Sequence, residues 1–230
     1  MIIGADEIHV WEINLCPSRD GDAHLIDFLS NAERERAKRF VFEYDRIAYI
    51  RSHATMRCLI ANYLGRAADE VRFGKGEFGK PYIVDGKGLV FNLSHSSGLA
   101  LLAIARDRDV GIDIERMREG GSILEIADKF FSTEESADIH SRSGADQLKA
   151  FYKCWTRKEA YIKALGRGLS LPLNSFSVPI RGLESVTAVI WEGRKWYFLD
   201  VRVEAPYLAS LVVEGDGKKL RYCRSIAPSV

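Results

Sequence analysis

The sequence lacks most of the signals that narrow a protein's chemistry at sight. Its 33 lysines and arginines offset 32 aspartates and glutamates, a net charge of only +1 over 230 residues. No global basic field draws it to nucleic acid or to an anionic membrane, so any anion site must be local. Cysteine is sparse: Cys16, Cys58, Cys154 and Cys223 are scattered and form no CxxC pair. That spacing excludes the usual zinc motifs and argues against a disulfide framework. The longest notable apolar run, Leu99 to Ala105, falls far short of the ~20 residues that span a bilayer. Asp6 and Glu7 stand where a secretory signal needs basic and then apolar residues. These absences predict a soluble protein of the reducing cytoplasm, with neither nucleic acid nor membrane as partner. Also missing are a phosphate loop ending in Gly-Lys-Ser/Thr, a Gly-x-Ser-x-Gly elbow and any clear sequence repeat.

What is present is ordinary globular material. Hydrophobic residues make up 47% and charged residues 28%, enough for a real core. Ile8 to Leu15 alternates like a strand, and Ala23 to Leu29 is helical in pattern. Ser30-Asn31-Ala32-Glu33 has the form of a capping box, in which the hydroxyl caps one backbone N–H and the glutamate another. Asp45 stands as the N-cap of a long helix that runs to Leu64 and stops at Gly65. Strand-length segments follow at Val71–Phe73, Pro81–Val84, Leu89–Leu93, Leu99–Ala105 and Val110–Glu115. Beyond the charged turn Arg106–Asp109, helices are predicted at Ile123–Phe130, Ser132–His140 and Asp146–Leu165. Strands are predicted at Phe176–Ile180, Thr187–Trp191, Trp196–Glu204 and Tyr207–Val213, with Arg224 to Val230 as a loose tail. Each half reads helix, long helix, then strands. The expected fold is α+β, with two similar pseudo-symmetric lobes, 1–108 and 109–230, each a long helix packed on a small mostly antiparallel sheet.

Four stretches carry chemistry-bearing residues, and each has a plainer alternative. On the strand Val110–Glu115, Asp113 and Glu115 share one face while Ile112 and Ile114 share the other. Paired carboxylates repel unless a cation sits between them, and hard oxygen ligands suit Mg²⁺; a solvated edge strand has the same pattern. On the helix ending at Leu165, the stripe Leu148, Phe151, Tyr152, Trp155, Ile162, Leu165 takes in Glu159, a costly position for an unpartnered carboxylate. Lys163 lies one turn on, and a surface ion pair worth about 0.3 kcal/mol is the alternative. Asn92-Leu93-Ser94-His95-Ser96-Ser97-Gly98 offers hydroxyls and an imidazole to a phosphate, or is a polar turn. A nucleophilic Ser–His pair is disfavoured, because adjacent residues rarely align for proton transfer. Lys75 and Lys80, flanked by glycines, and the cluster Arg34, Arg36, Lys38, Arg39 are mobile cations for phosphates or plain basic surface.

Together these segments resemble the 4′-phosphopantetheinyl transferase family. The resemblance rests on Gly79-Lys80-Pro81, Asn92–Ser96, Gly111–Glu115, Trp155–Ala160 and Lys163–Leu169, and spans roughly residues 30 to 180. The length is similar to the larger, surfactin-synthetase-activating type, in which two lobes form a pseudo-dimer in one chain, which implies a monomer. The resemblance implies transfer of 4′-phosphopantetheine from coenzyme A to a serine of an apo acyl or peptidyl carrier protein, releasing 3′,5′-ADP. It further implies that Asp113, Glu115 and Glu159 hold Mg²⁺, or Mn²⁺, against the pyrophosphate, and that Lys163 contacts the phosphates. Arg36, Lys75, Lys80, Ser94 and His95 would bind the nucleotide end, and Gly168 and Leu169 would shape the entrance. Glu159 is the candidate general base, His95 the less favoured one. Carriers of fatty acid, polyketide and non-ribosomal peptide synthesis all fit, with the segment Phe130 to Gly144 as the expected docking loop. The competing readings are a non-catalytic coenzyme A-binding module and a metal-dependent phosphodiesterase.

Overall fold

Each helix end leaves backbone groups without intrahelical partners, and local side chains meet that demand at fixed points. In the computed structural model, which describes residues 1–17, 21–180, 186–215 and 219–224, Ser30 caps α1 (Asn31–Ala37) in the expected reciprocal box. Its Oγ accepts from the Glu33 amide at 3.3 Å, and Glu33 accepts from the Ser30 amide at 2.8 Å. The same Glu33 carboxylate takes the Arg57 guanidinium at 2.7 Å, tying α1 to the long helix α2 (Glu43–Leu64). That helix starts two residues before Asp45, with Phe42 as an N-cap that makes no side-chain bond. Asp45 lies instead in the first turn, where a carboxylate favours the helix dipole. Gly65 and Gly166 close the two long helices in the left-handed conformation, with φ of 65° and 68°.

Two four-stranded sheets organise the rest. The first has the order β10-β1-β5-β4, built from β1 (Glu7–Asn14), β4 (Leu89–Ser96), β5 (Leu99–Arg106) and β10 (Lys219–Arg224). The second has the order β6-β9-β8-β7, from β6 (Val110–Arg116), β7 (Val186–Trp191), β8 (Arg194–Val201) and β9 (Tyr207–Glu214). A small hairpin, β2 (Phe73–Lys75) and β3 (Pro81–Ile83), stands apart. In each large sheet a first strand pairs antiparallel with the last of a hairpin, β1 with β5 and β6 with β9. A long helix, α2 or α5 (Gly144–Leu165), intervenes in the chain. The expected repetition of an α+β unit is present.

Strand alternation builds the layers. On β5, Ala100, Leu102 and Ile104 face the core under α2, while Leu101, Ala103 and Ala105 face Val110, Ile112 and Ile114 of β6 and Leu211 and Val213 of β9. The two sheets thus share an apolar interlayer, with α2 outside one and α5 outside the other. A strand buried on both faces reads as an unbroken apolar run, which is what Leu99–Ala105 is. The C-terminal β10 escapes notice in the sequence because it is a charged edge strand, with Lys219, Arg221 and Arg224 exposed. It runs parallel to β1. The expected tail therefore begins with a paired residue, Arg224; 225–230 lie outside the described residues.

Two expectations change around α5. Phe176–Ile180 is not a strand, although Phe176, Val178 and Ile180 are buried in alternation. Its backbone partners are side chains, not a ladder. Lys158 Nζ donates to the carbonyls of Leu173 and Phe176 at 2.8 and 2.5 Å, Glu135 accepts from the Val178 amide at 2.6 Å, and Arg157 donates to the Pro179 carbonyl. Lys158 and Glu135, fully buried 2.7 Å apart, offset each other's desolvation. Nor is Glu159 on the core stripe. The core face runs through Phe151, Cys154, Arg157, Lys158 and Tyr161, and Trp155, Glu159 and Lys163 form a separate, half-buried row. Trp155 packs against the core from that row, while the fully buried face hides two cations that the apolar letters could not show.

Helix α5 meets β6 at Gly111, where a Cβ would overlap the backbone oxygen of Ala160 and the amide of Ala164. Replacing Gly111 with alanine must lift the helix from the strand. We expect Gly111→Ala to cost about 3 kcal/mol in urea unfolding, the upper range of overpacking penalties.

Candidate active site

A strand edge whose ladder is unfilled has to satisfy its amides by other means. At the seam between the sheets, β4 lies beside β6 and side chains do that work. Asn92 Oδ1 accepts from the Ile112 amide at 2.8 Å, and Ser96 Oγ accepts from the Arg116 amide at 3.1 Å. Between them Ser94 Oγ donates to Asp113 Oδ1 at 2.8 Å, and Ser96 Oγ donates to Glu115 at 3.0 Å. The period of two on β4 thus meets the period of two on β6. Asn92 and Ser96 lie in the stretch Asn92–Gly98 that the sequence pattern marked, while only Ser94 and His95 were given roles by the family resemblance.

From α5, Lys163 Nζ reaches across to Asp113 Oδ1 at 2.6 Å and Ser94 Oγ at 2.9 Å. Asp113 is 3% exposed, and its second oxygen, Oδ2, is buried without a hydrogen-bond partner. Burial pushes the Asp113 carboxyl above its ordinary range, against the pull of Lys163. Burial and then the charge of Asp113 raise Glu115. Glu159 is raised by burial, then by Asp113, with a smaller push from Glu115. The charge of Asp113 therefore reaches both other carboxylates across the cleft. As they stand, no group of three or more His, Cys, Asp or Glu side chains among the described residues converges into a ready ligand cage. The donor set nonetheless fits a hard divalent cation, which would take up the orphaned Asp113 oxygen and relieve the shared repulsion. Asp113, Glu115 and Glu159 are the residues that could hold one.

These groups open on a cavity of about 990 Å³. Its walls combine Ser94 and His95 of the first lobe with Trp155, Glu159 and Lys163 of α5 and the segment Leu171–Asn174. Lys129 and the exposed Phe130, at the end of α3 (Ile123–Phe130), stand at the mouth. His95 reaches solvent, yet loss of water and the Lys163 charge hold its imidazole below the ordinary value. The expected docking loop Phe130–Gly144 is in large part a helix, α4 (Thr133–His140), capped by Ser132.

The remaining predicted residues lie apart. Arg36 is exposed and stacks 5.6 Å over the Tyr49 ring, which in turn stacks on His53 at 3.9 Å. The charges of Arg36 and His95 both reach His53, whose pKa falls to about 4 chiefly through burial. His53 was not singled out in the sequence, because a lone histidine in a helix carries no pattern. Lys75 is exposed at the end of β2. Lys80 does not line the large cavity; its Nζ donates to the Ala164 carbonyl at 2.7 Å. Gly168 lies in a 3₁₀ turn after α5, and the Leu169 side chain falls outside the described residues.

Two repeated α+β units, whose polar residues become a site only at their seam, define a bilobal protein with one composite centre. Comparison with known proteins narrows the class. The 4′-phosphopantetheinyl transferase superfamily profile matches residues 109–212, and a 4′-phosphopantetheinyl transferase N-terminal profile matches residues 14–107. The chain is 32% identical over 216 residues to the 4′-phosphopantetheinyl transferase HetI of a Nostoc species, covering 93% of this chain and 90% of that one. It is 35% identical over 161 residues to 4′-phosphopantetheinyl transferase Sfp of Bacillus subtilis, covering 70% of each. It is also 35% identical over 159 residues to 4′-phosphopantetheinyl transferase gsp of Aneurinibacillus migulanus, covering 67% and 65%. The chain belongs to the 4′-phosphopantetheinyl transferase superfamily.

A carboxyl whose folded pKa lies above its unfolded value stabilises the fold below the unfolded pKa, and that stability is lost as pH rises through the folded one. The metal-free protein therefore carries a cost at neutral pH that Glu159→Gln removes. We expect this variant to melt at a higher temperature than the wild type at pH 7. The gain should vanish near pH 4 in differential scanning calorimetry.

Proposed function

We infer that this protein transfers the 4′-phosphopantetheine group of coenzyme A to a serine of an apo carrier protein, releasing 3′,5′-ADP. Membership of the family supports the reaction class. The observation that carries the site assignment is the meeting of Ser94 from one lobe with Asp113 and Lys163 of the other. In this reading Asp113, Glu115 and Glu159 hold Mg²⁺. When bound, the cation neutralises charge that grows on the pyrophosphate as the bond to the pantetheine phosphate changes hands.

The protein's own groups do the rest. Lys163 lies within reach of Asp113 and Ser94, so its ammonium is held toward the phosphates as a fixed positive charge. Neutral His95 donates a hydrogen bond to a phosphate oxygen, Ser94 holds Asp113 and Lys163 at the nucleotide end, and Arg36, with Lys75, meets the nucleotide itself. Glu159 takes the proton of the carrier serine. The pantetheine arm runs along Trp155 and Leu171–Asn174, and the carrier docks at Lys129 and Phe130. The same reading divides the chain at residue 108, with β10 returning to the first sheet, and has the protein act as a monomer in the cytoplasm. No helix among the described residues is long and apolar enough to cross a membrane, and all four cysteines are free.

The test is intact-mass spectrometry of apo carriers from fatty acid, polyketide and non-ribosomal peptide synthesis, incubated with the protein, coenzyme A and Mg²⁺. A gain of one phosphopantetheine mass that EDTA abolishes is expected. Coenzyme A binding without any gain would favour a non-catalytic binding module, and free phosphopantetheine would favour a phosphodiesterase. Asp113→Ala should lower turnover by about 10²–10³-fold, the usual loss when a charge-stabilising group is removed, while circular dichroism stays native. Near-normal turnover would rule out the metal assignment.

A further inference from the structure

The side chain of Lys80 is engaged away from the large cavity. It lies in the β2–β3 connection of the first lobe, and its partners belong to the last turn of α5 and to the start of β6. Nζ donates to the Ala164 carbonyl at 2.7 Å and pairs with Asp109 at 3.5 Å, with 18% of the side chain exposed. Ala164 is among the last four residues of α5, whose carbonyls have no intrahelical donor. A cation there also meets the negative end of the helix dipole. Asp109 is held in turn. Its other oxygen accepts from Arg194 at 2.6 Å, Arg194 clasps Glu214, and the Glu214 amide donates to the Asp109 carbonyl at 2.9 Å. Gly166 leaves space for the lysine stem, since a Cβ there would come within 2.9 Å of Lys80 Cδ.

Ala164 is flanked on its other side by Gly111, which gives its amide room against β6. The residue before it is Lys163, whose ammonium sits between Ser94 and Asp113. The final turn that aims Lys163 is therefore fixed to β6 on one side and to the first lobe on the other. We propose that Lys80 is a positioning residue: with Asp109 and Arg194 it latches the end of α5 to the first lobe and so sets Lys163 against Asp113. This replaces the expectation that Lys80 grips the nucleotide. It rests on the transferase reading for its kinetic consequence alone.

The test compares Lys80→Met, which keeps the stem and loses the donor, with Lys80→Arg and Asp109→Asn. Hydrogen–deuterium exchange of the Ile162–Leu165 amides judges the latch without any assay of activity. In Lys80→Met they should exchange at least ~10-fold faster, the opening expected when about 1.4 kcal/mol is lost locally. With coenzyme A and an apo carrier, kcat should fall about 10-fold or more while KM for coenzyme A stays within about 3-fold, the mark of misplacement rather than lost binding. Lys80→Arg should restore part of kcat. Asp109→Asn should lower kcat in the same way, and the double variant Lys80→Met/Asp109→Asn should be no worse than the poorer single. Unchanged exchange at the end of α5 would overturn the latch. So would a KM for coenzyme A raised about 10-fold at constant kcat, since that is the behaviour of a nucleotide contact. A wild-type protein that transfers nothing to any carrier would overturn the transferase reading, and the exchange result would still decide the latch.

Discussion

Helix α5 rests on strand β6 with bare backbone between them at Gly111, and the composite site depends on that contact. The close approach puts Glu159 and Lys163, one turn apart, opposite Asp113 and Glu115 on the same strand. Any side chain at Gly111 would hold the row off by more than a hydrogen bond allows. The seam is completed from the first lobe, where Asn92 and Ser96 substitute for a missing ladder and Ser94 between them binds the Asp113 side chain. A bond of this kind contributes only about 1 kcal/mol net. Its greater consequence is register: each seam residue locks a particular position of β4 to a particular position of β6.

Helix α5 carries charge on both flanks, used in opposite ways. Arg157 and Lys158 are buried against opposite charge: Asp200 at 2.6 Å for the first, whose Nε still lacks a hydrogen-bond partner, and Glu135 with two carbonyls for the second. They hold the irregular segment that ends in the cavity wall at Leu171–Asn174. Glu159 and Lys163 face the cleft, where Asp113 keeps an unpartnered oxygen and burial, followed by the charge of Asp113, raises the pKa values of Glu115 and Glu159. Cations paired with carboxylates build the scaffold, and crowded carboxylates in a cleft mark where a ligand belongs.

Much of this was legible beforehand. The Asp113/Glu115 face followed from strand periodicity alone, since Ile112 and Ile114 need the core. The capping box at Ser30 and the stops at Gly65 and Gly166 followed from backbone chemistry. Elements whose partners are remote in sequence were harder. Phe176–Ile180 has the alternation of a strand and is none, because Glu135, Arg157 and Lys158 bind its backbone first. The edge strand β10 lacks apolar alternation, and nothing near it announces that β1 is its neighbour.

The sequence by itself determined the local grammar: helix ends, strand faces, the repeated α+β order, and the residue types able to meet phosphate and a divalent cation. Those properties depend on neighbours a few positions apart. Only the tertiary structure decided which of these residues share a site. Ser94 lies 69 positions from Lys163 and meets it at 2.9 Å, whereas Lys80, in an equally suggestive loop, turns to the end of α5 84 positions away. The difference is set by which carbonyls and carboxylates the packed lobes leave without partners, and that is a property of the assembled fold.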